Sequence, residues 1–200
     1  MARKTKSYIK APKKQDKVMF QAFRCCHYLT AKQLAEITSH NRVKNMILDK
    51  LVEKCHYQQG TKKMMVYRLT NKGRKYAEKT HALRNFYRSS SPTHDLKISE
   101  HYFKCSQDIR DTWQTEGDLR DRWDEQLNSL YEVDRVRYQE YYNMFNEGKI
   151  SMPDYAIRNE IGVEICHDVV SQHYSEELKE AKVTTGKILT GRETILHNLK

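Results

Sequence analysis

Apolar residues recur at helical spacing early in the chain. Ala31, Leu34, Ala35 and Ile37 make one stripe while Lys32 and Glu36 fall opposite, the division an amphipathic helix needs. Thr38-Ser39-His40-Asn41 interrupts the stripe, and Ser39 or Asn41 offers an oxygen to the orphan amides of a second helix. That helix is predicted to bury Val43, Met46, Ile47, Leu51 and Val52. The period then shortens to that of a strand. Cys55 to Gln59 and Met64 to Leu69 read as a hairpin turning at Gly60, and Thr70 and Asn71 open a closing helix that returns Tyr76 and Ala77 to the core.

Farther on, Pro92 to Ile109 is predicted as one long helix bearing Glu100, and DTWQTE, with Trp113 and Thr115, as a strand. Between Gly117 and Gly148, Leu127, Leu130, Tyr131, Asp134, Tyr138 and Tyr141 keep helical spacing and predict an inserted helix. Tyrosines so spaced usually pack against a sheet; stacking on bases is the sharper reading. Pro153, Tyr155 and Ile157 then alternate, Asn159 and Gly162 bracket a reversal, and Val163 and Ile165 begin the return strand. The fold class expected is α+β.

Helix, helix, hairpin, helix is the order of a winged helix-turn-helix. Its second helix would carry Ser39, His40, Asn41, Arg42, Lys44 and Asn45 at the end that meets base edges in a major groove, and Lys62 and Lys63 at the hairpin tip would meet phosphate. A winged helix that binds protein or only scaffolds a neighbour is the plainer alternative. Charge favours duplex DNA as the partner: up to Ser91 the chain has 22 Lys and Arg against 5 Asp and Glu, whereas the remainder has 14 against 21. Seven of those cations lie in the first seventeen residues, which predicts a flexible basic arm over 1–16, with a solubilising tail as its plainer reading. The winged helix would follow over 17–83, and RNFYRSSSPT would supply a linker over 84–93 before a second domain over 94–200, with a helical insertion at about 117–149.

Other chemistries are disfavoured. The glycines are isolated, so no phosphate loop is present. Five scattered cysteines do not make a disulfide framework, and Cys25-Cys26 with His27, Cys55 and His56 lacks zinc-knuckle spacing, so buried thiols are expected. Cys166 and His167, adjacent on a strand, would face opposite ways and could not act as a nucleophile and its base. No apolar run approaches a membrane span and no apolar core follows the charged N-terminus, so no membrane partner and an intracellular, cytoplasmic protein are expected. Phe20, Phe23 and Tyr28 could fill the chain's own core or pack in a homodimer.

The hairpin of SMPDYAIRNEIGVEICHDVV sets Asp154 and Glu164 on adjacent strands, an arrangement able to hold Mg²⁺ or Mn²⁺ for phosphodiester cleavage. A helix with Glu100, a strand, Pro153-Asp154, Glu164-x-Cys166 and a final helix resemble the PD-(D/E)xK nuclease-like fold. With the front half and the phrases YRLTNKG, THDLKISEHY and TWQTE, the chain resembles the replication-relaxation family of plasmids and other mobile elements over roughly Asp16 to Ile188. The resemblance implies a DNA-associated role in initiating or relaxing replication or transfer of an element, with Asp154 and Glu164 as metal carboxylates and Glu100 as the helical acid. The chain departs from the pattern at Cys166, where the motif has lysine. Lys182 or Lys179 on the following helix could reach back instead, which would complete a catalytic set of Glu100, Asp154, Glu164 and Lys182. Two functions stand: a non-catalytic DNA-binding accessory or regulator whose acidic second domain recruits a replication or transfer enzyme or a second copy, and a metal-dependent endonuclease targeted by its winged helix; a phage-encoded inhibitor of a nucleic-acid-handling complex is a weaker third.

Overall fold

Three hydroxyls start three helices of the front half. Thr30 accepts the Gln33 amide at 3.3 Å, Ser39 the Arg42 amide at 3.3 Å and Thr70 the Gly73 amide at 3.0 Å, each satisfying a donor that has no partner within its helix. The computed structural model describes residues 7–59, 62–89 and 91–199, apart from the side chains of Gln59 and Lys62. It is a mixed α+β structure that divides into two units, Met1–Phe103 and Lys104–Lys200.

The first unit runs α1 (Lys14–Cys26), β1 (Leu29–Thr30), α2 (Ala31–Ile37), α3 (His40–Leu48), β2 (Val52–Gln59), β3 (Lys62–Leu69), α4 (Asn71–His81) and α5 (Pro92–Lys104), with the strands in the order β1-β3-β2 and antiparallel throughout. Phe20, Phe23, Leu29, Leu34, Met46, Val52 and Val66 form its core. Phe20, Phe23 and Tyr28, which the sequence left between the core and a dimer contact, are all buried here. Leu51 and Val52 are buried as expected but not from a helix: α3 stops at Leu48, Lys50 takes a left-handed φ of 58°, and the strand begins at Val52. Gly73 is needed because a Cβ there would lie 2.0 Å from the Leu51 carbonyl oxygen.

Two expectations about boundaries change. The arm expected to be free over 1–16 is docked in part. The amides of Tyr8 and Ile9 donate to Asp49 at 2.9 Å and 2.7 Å, Ile9 is buried, and Asp16 sits inside α1 with no exposure. Arg3, Lys4 and Lys6 lie outside the described residues. The segment expected as a linker, 84–93, is also packed. Tyr87 is buried and its amide donates to Arg24 O at 2.8 Å, while Ser91 and Pro92 are a helix start, Ser91 Oγ accepting the His94 amide at 3.4 Å. Serine followed by proline suits a linker and a cap with its first helical residue equally well, and composition alone does not separate them. The helix that follows joins the first unit: His27 Nδ1 meets Asp95 at 2.7 Å, Gln33 Nε2 donates to Ser99 at 3.0 Å, and Leu96 packs with Tyr28 and Val66.

The second unit runs α6 (Gln107–Asp111), β4 (Gln114–Thr115), α7 (Glu116–Val133), α8 (Arg135–Asn146), β5 (Tyr155–Arg158), β6 (Glu164–Val170), α9 (Glu176–Thr190) and β7 (Ile195–Asn198). Its sheet has the order β4-β5-β6-β7, antiparallel except for the β6–β7 pair, which α9 connects as a crossover. Leu119, Trp123, Ile150, Met152, Ala156, Cys166 and Leu189 make its core. The long helix predicted to Ile109 breaks after Lys104, where Ser106 caps α6 by accepting the Ile109 amide. The inserted helix is two: Asp134, read as one of its spaced positions, leaves helical geometry and caps α8 through the Arg137 amide at 3.0 Å. Among the described residues, no helix is long and apolar enough to cross a membrane.

Asp95 holds α5 in place. Burial would raise its pKa, but hydrogen bonds from His27, His94 and Ser89 outweigh burial and keep it below its ordinary 3.8. The stabilisation is therefore complete above pH 3.8 and is lost as pH falls through the lower folded value. Asp95→Asn is expected to lower stability by about 2 kcal/mol in urea unfolding at pH 7, and to flatten the pH dependence below pH 3.8 that the unmodified chain shows.

Candidate nucleic-acid interface and carboxylate cluster

Several of the residues expected to read DNA reach the surface. His40, Asn41 and Lys44 are exposed on α3 behind the Ser39 cap, Asn45 is half-buried, and Lys63 is exposed on β3. The Lys62 side chain, with Gly60 and Thr61, lies outside the described residues. Arg42 is turned inward. Its Nε donates to Asp16 Oδ1 at 2.9 Å, and its Nη2 donates to Asp16 Oδ2 at 2.5 Å and to Ala11 O at 2.8 Å, leaving the side chain 12% exposed. The hydrogen bond that the guanidinium donates to Asp16 is the main reason its pKa is raised. A fork this well matched to a buried carboxylate is a structural clamp between α1 and α3, not a base-reading donor.

The acids of this half are largely engaged. Asp16 holds Arg42, Asp49 takes the amides of Tyr8 and Ile9, and Glu53 pairs with Arg68 at 2.7 Å. The Asp49 carboxylate, which burial would raise, is held below its ordinary value by those amides and the Ser7 hydroxyl. Around α3, the exposed Lys44 and Lys50 therefore face few competing carboxylates.

In the second unit the hairpin register decides which acids meet. Arg158 pairs with Glu164 and Tyr155 with His167, so the next step places Asp154 opposite Asp168. Glu164 is four positions away along the strand, about 13 Å. Ligand oxygens of one Mg²⁺ each lie within about 2.1 Å of it, so with backbone positions this far apart and the Glu164 carboxylate held elsewhere, the Asp154 and Glu164 metal pair does not fit. Glu164 instead accepts from Gln114 Nε2 at 3.0 Å and from Arg122. Glu100, expected as the helical acid, is exposed on α5 of the first unit and pairs with Lys97 at 3.5 Å.

A different set gathers at the opposite end of the hairpin. Lys182 on α9 is buried, its Nζ 2.7 Å from Asp168 Oδ2, and it donates to Met152 O at 2.5 Å. Asp154 Oδ2 accepts the Val169 amide at 2.8 Å. On the other side, Thr115 pairs with Tyr155, so one step further Glu116 comes opposite Asp154. Burial first, then the charges of Asp168, Asp154 and Glu116, push the Tyr174 phenol up to about 12. Lys182 thus reaches a carboxylate as the sequence allowed, but the carboxylate is Asp168, while Lys179 pairs along its own helix with Glu176 at 2.6 Å. Asp168, Glu116 and Tyr174 were not among the expected residues. The loop length would have found Asp168: closing the turn between Asn159 and Val163, as the Asn159 amide does at 2.9 Å to Val163 O, makes residue 168 the partner of 154.

The cluster is closed by its own cation. Asp168 is neutralised by Lys182, Asp154 is engaged by backbone, and among the described residues no three of these carboxylates bring ligand oxygens within 4.8 Å of one another. Cys166 lies in the core with Ala156, its thiol pushed up to about 12 by burial and then by Glu164, so it is no nucleophile at neutral pH. Comparison with family models, with curated proteins and with solved structures found no match.

Arg42→Ala is expected to cost about 3 kcal/mol or more of stability, because it strands Asp16 as a buried unpaired charge. Lys182→Met should do the same to Asp168, by a similar amount. Thermal and urea unfolding measure both. Unchanged stability in Arg42→Ala with altered DNA preference would return that residue to the reading surface.

Proposed function

We propose that this chain is a DNA-binding accessory or regulatory protein in which the first unit acts as a winged helix on duplex DNA and the second serves as an interaction module. The observation that carries the reading is the exposed set His40, Asn41 and Lys44 on α3, a helix capped by Ser39, in a unit whose acids are mostly tied up internally. Donor-rich side chains near a helix start are what base edges in a major groove accept. The order of helices and the β1-β3-β2 sheet, with its long β2–β3 hairpin, support the winged-helix reading. Exposed Lys63 on that hairpin suits phosphate contact. The mobile-element setting, with a replication or transfer enzyme as partner, rests on the resemblance of YRLTNKG, THDLKISEHY and TWQTE alone.

A second reading, a PD-(D/E)xK-type endonuclease, is favoured by one observation: Lys182 arrives beside Asp168, next to Asp154, where such a site needs an amine. The accessory reading is preferred because that amine occupies the carboxylate a metal would need.

Anisotropy titrations with duplexes selected from a random pool, at fixed salt, test the first reading. Lys44→Ala is expected to weaken the selected site by about 1 to 3 kcal/mol, whereas Lys63→Ala weakens all sequences alike and lowers the salt slope by about one. No binding to any duplex at low salt, or a Lys44 variant indistinguishable from the parent, would overturn it. Supercoiled plasmid with Mg²⁺ or Mn²⁺ tests the second: the accessory reading expects no nicking, and nicking abolished in Asp154→Asn would replace it with the enzyme.

A further inference from the structure

A row of rings crosses the face of the second sheet opposite its Cys166 core. Trp113 stacks on Tyr155 at 4.1 Å, Tyr155 on His167 at 5.1 Å, and His167 on His197 at 5.2 Å, with interplanar angles of 14°, 3° and 12°. The stack fixes the plane of the buried His167 ring, and β7, at the sheet edge, brings up the half-buried His197. His167 Nδ1 and His197 Nε2 face each other at 2.9 Å. Two bonds of about 2.0 to 2.1 Å to a tetrahedral ion would set the same nitrogens about 3.3 Å apart, so their separation is within a few tenths of an ångström of that of a chelating pair.

We propose that His167 and His197 form a two-imidazole site for a borderline divalent ion, Zn²⁺ or Ni²⁺. The plain alternative is a hydrogen bond between two neutral rings, one inner nitrogen donating to the other. Ion binding replaces it without net proton release: the proton on the inner nitrogen of the donor ring moves to that ring's outer nitrogen, and both inner lone pairs then point at the metal. Imidazole is a good ligand for both ions, and two protein nitrogens leave further coordination positions to water or an incoming donor. The site uses none of the carboxylates around Asp168 and is independent of the DNA-binding reading.

The test uses the full, tag-free, metal-stripped chain titrated with Ni²⁺ and with Zn²⁺ by calorimetry. His197→Gln, at a half-buried edge position, is expected to keep its circular dichroism and to weaken Ni²⁺ binding at least tenfold. Long-range ¹H–¹⁵N spectra of the unmodified chain supply a readout that needs no variant, with Zn²⁺ expected to shift His167 Nδ1 and His197 Nε2. Absence of ion binding, equal Ni²⁺ affinity in His197→Gln, or ring nitrogens that do not move at saturating Zn²⁺ would each overturn the site.

Discussion

A charge taken out of water must find a partner, and three such pairings organise this chain. Asp16 with Arg42 ties α1 to α3, Asp95 with His27 ties α5 to the end of α1, and Asp168 with Lys182 ties α9 to the sheet of the second unit. In each case the carboxylate is fully buried. Because desolvating an ion costs several kcal/mol and its partner repays this only with good geometry, each pair tolerates little displacement of the elements that carry it. Their positions then follow: the first turn of α3 is fixed against α1, and α5 is drawn into the first unit.

This constraint alters what the basic surface is made of. Arginine at the start of α3 looks like a base-reading donor, and its removal to a structural clamp leaves histidine, asparagine and lysine to face outward. The exchange does not weaken the cationic character of the unit, since the clamp also takes an acid out of the surface field. Docking of Tyr8 and Ile9 on Asp49 likewise sets the N-terminal segment against the C-terminal end of α3.

In the second unit, strand register has the corresponding role. A loop closing between Asn159 and Val163 makes Asp154 the neighbour of Asp168 and sends Glu164 to Arg122 and Gln114, at the far end of the hairpin. The parity of the strand assigns Cys166 to the helix-covered core and His167 to the ring stack on the other face. One strand thereby serves a buried ion pair, a core and an imidazole pair through alternate side chains.

What the sequence determined by itself was local. Helical spacing predicted α2, α3 and α4, alternation predicted both hairpins, and the caps Ser39 and Thr70 were among the residues the sequence offered, Ser39 beside Asn41 and Thr70 with Asn71, because each depends on contacts within a few residues. The charge imbalance between halves was also legible. Tertiary structure decided the rest: that Arg42 turns inward, that Ser91-Pro92 starts a helix instead of ending a domain, that Asp134 breaks a helix, and that Lys182 finds Asp168. For Arg42 and Lys182 the physical reason is that a polar side chain has similar local propensities whether it faces water or a partner distant in sequence, and only that partner's arrival makes burial favourable. Ser91 and Asp134 bond only three residues ahead, but serine before proline also suits a linker and aspartate also fits helical spacing, so packing had to choose between them.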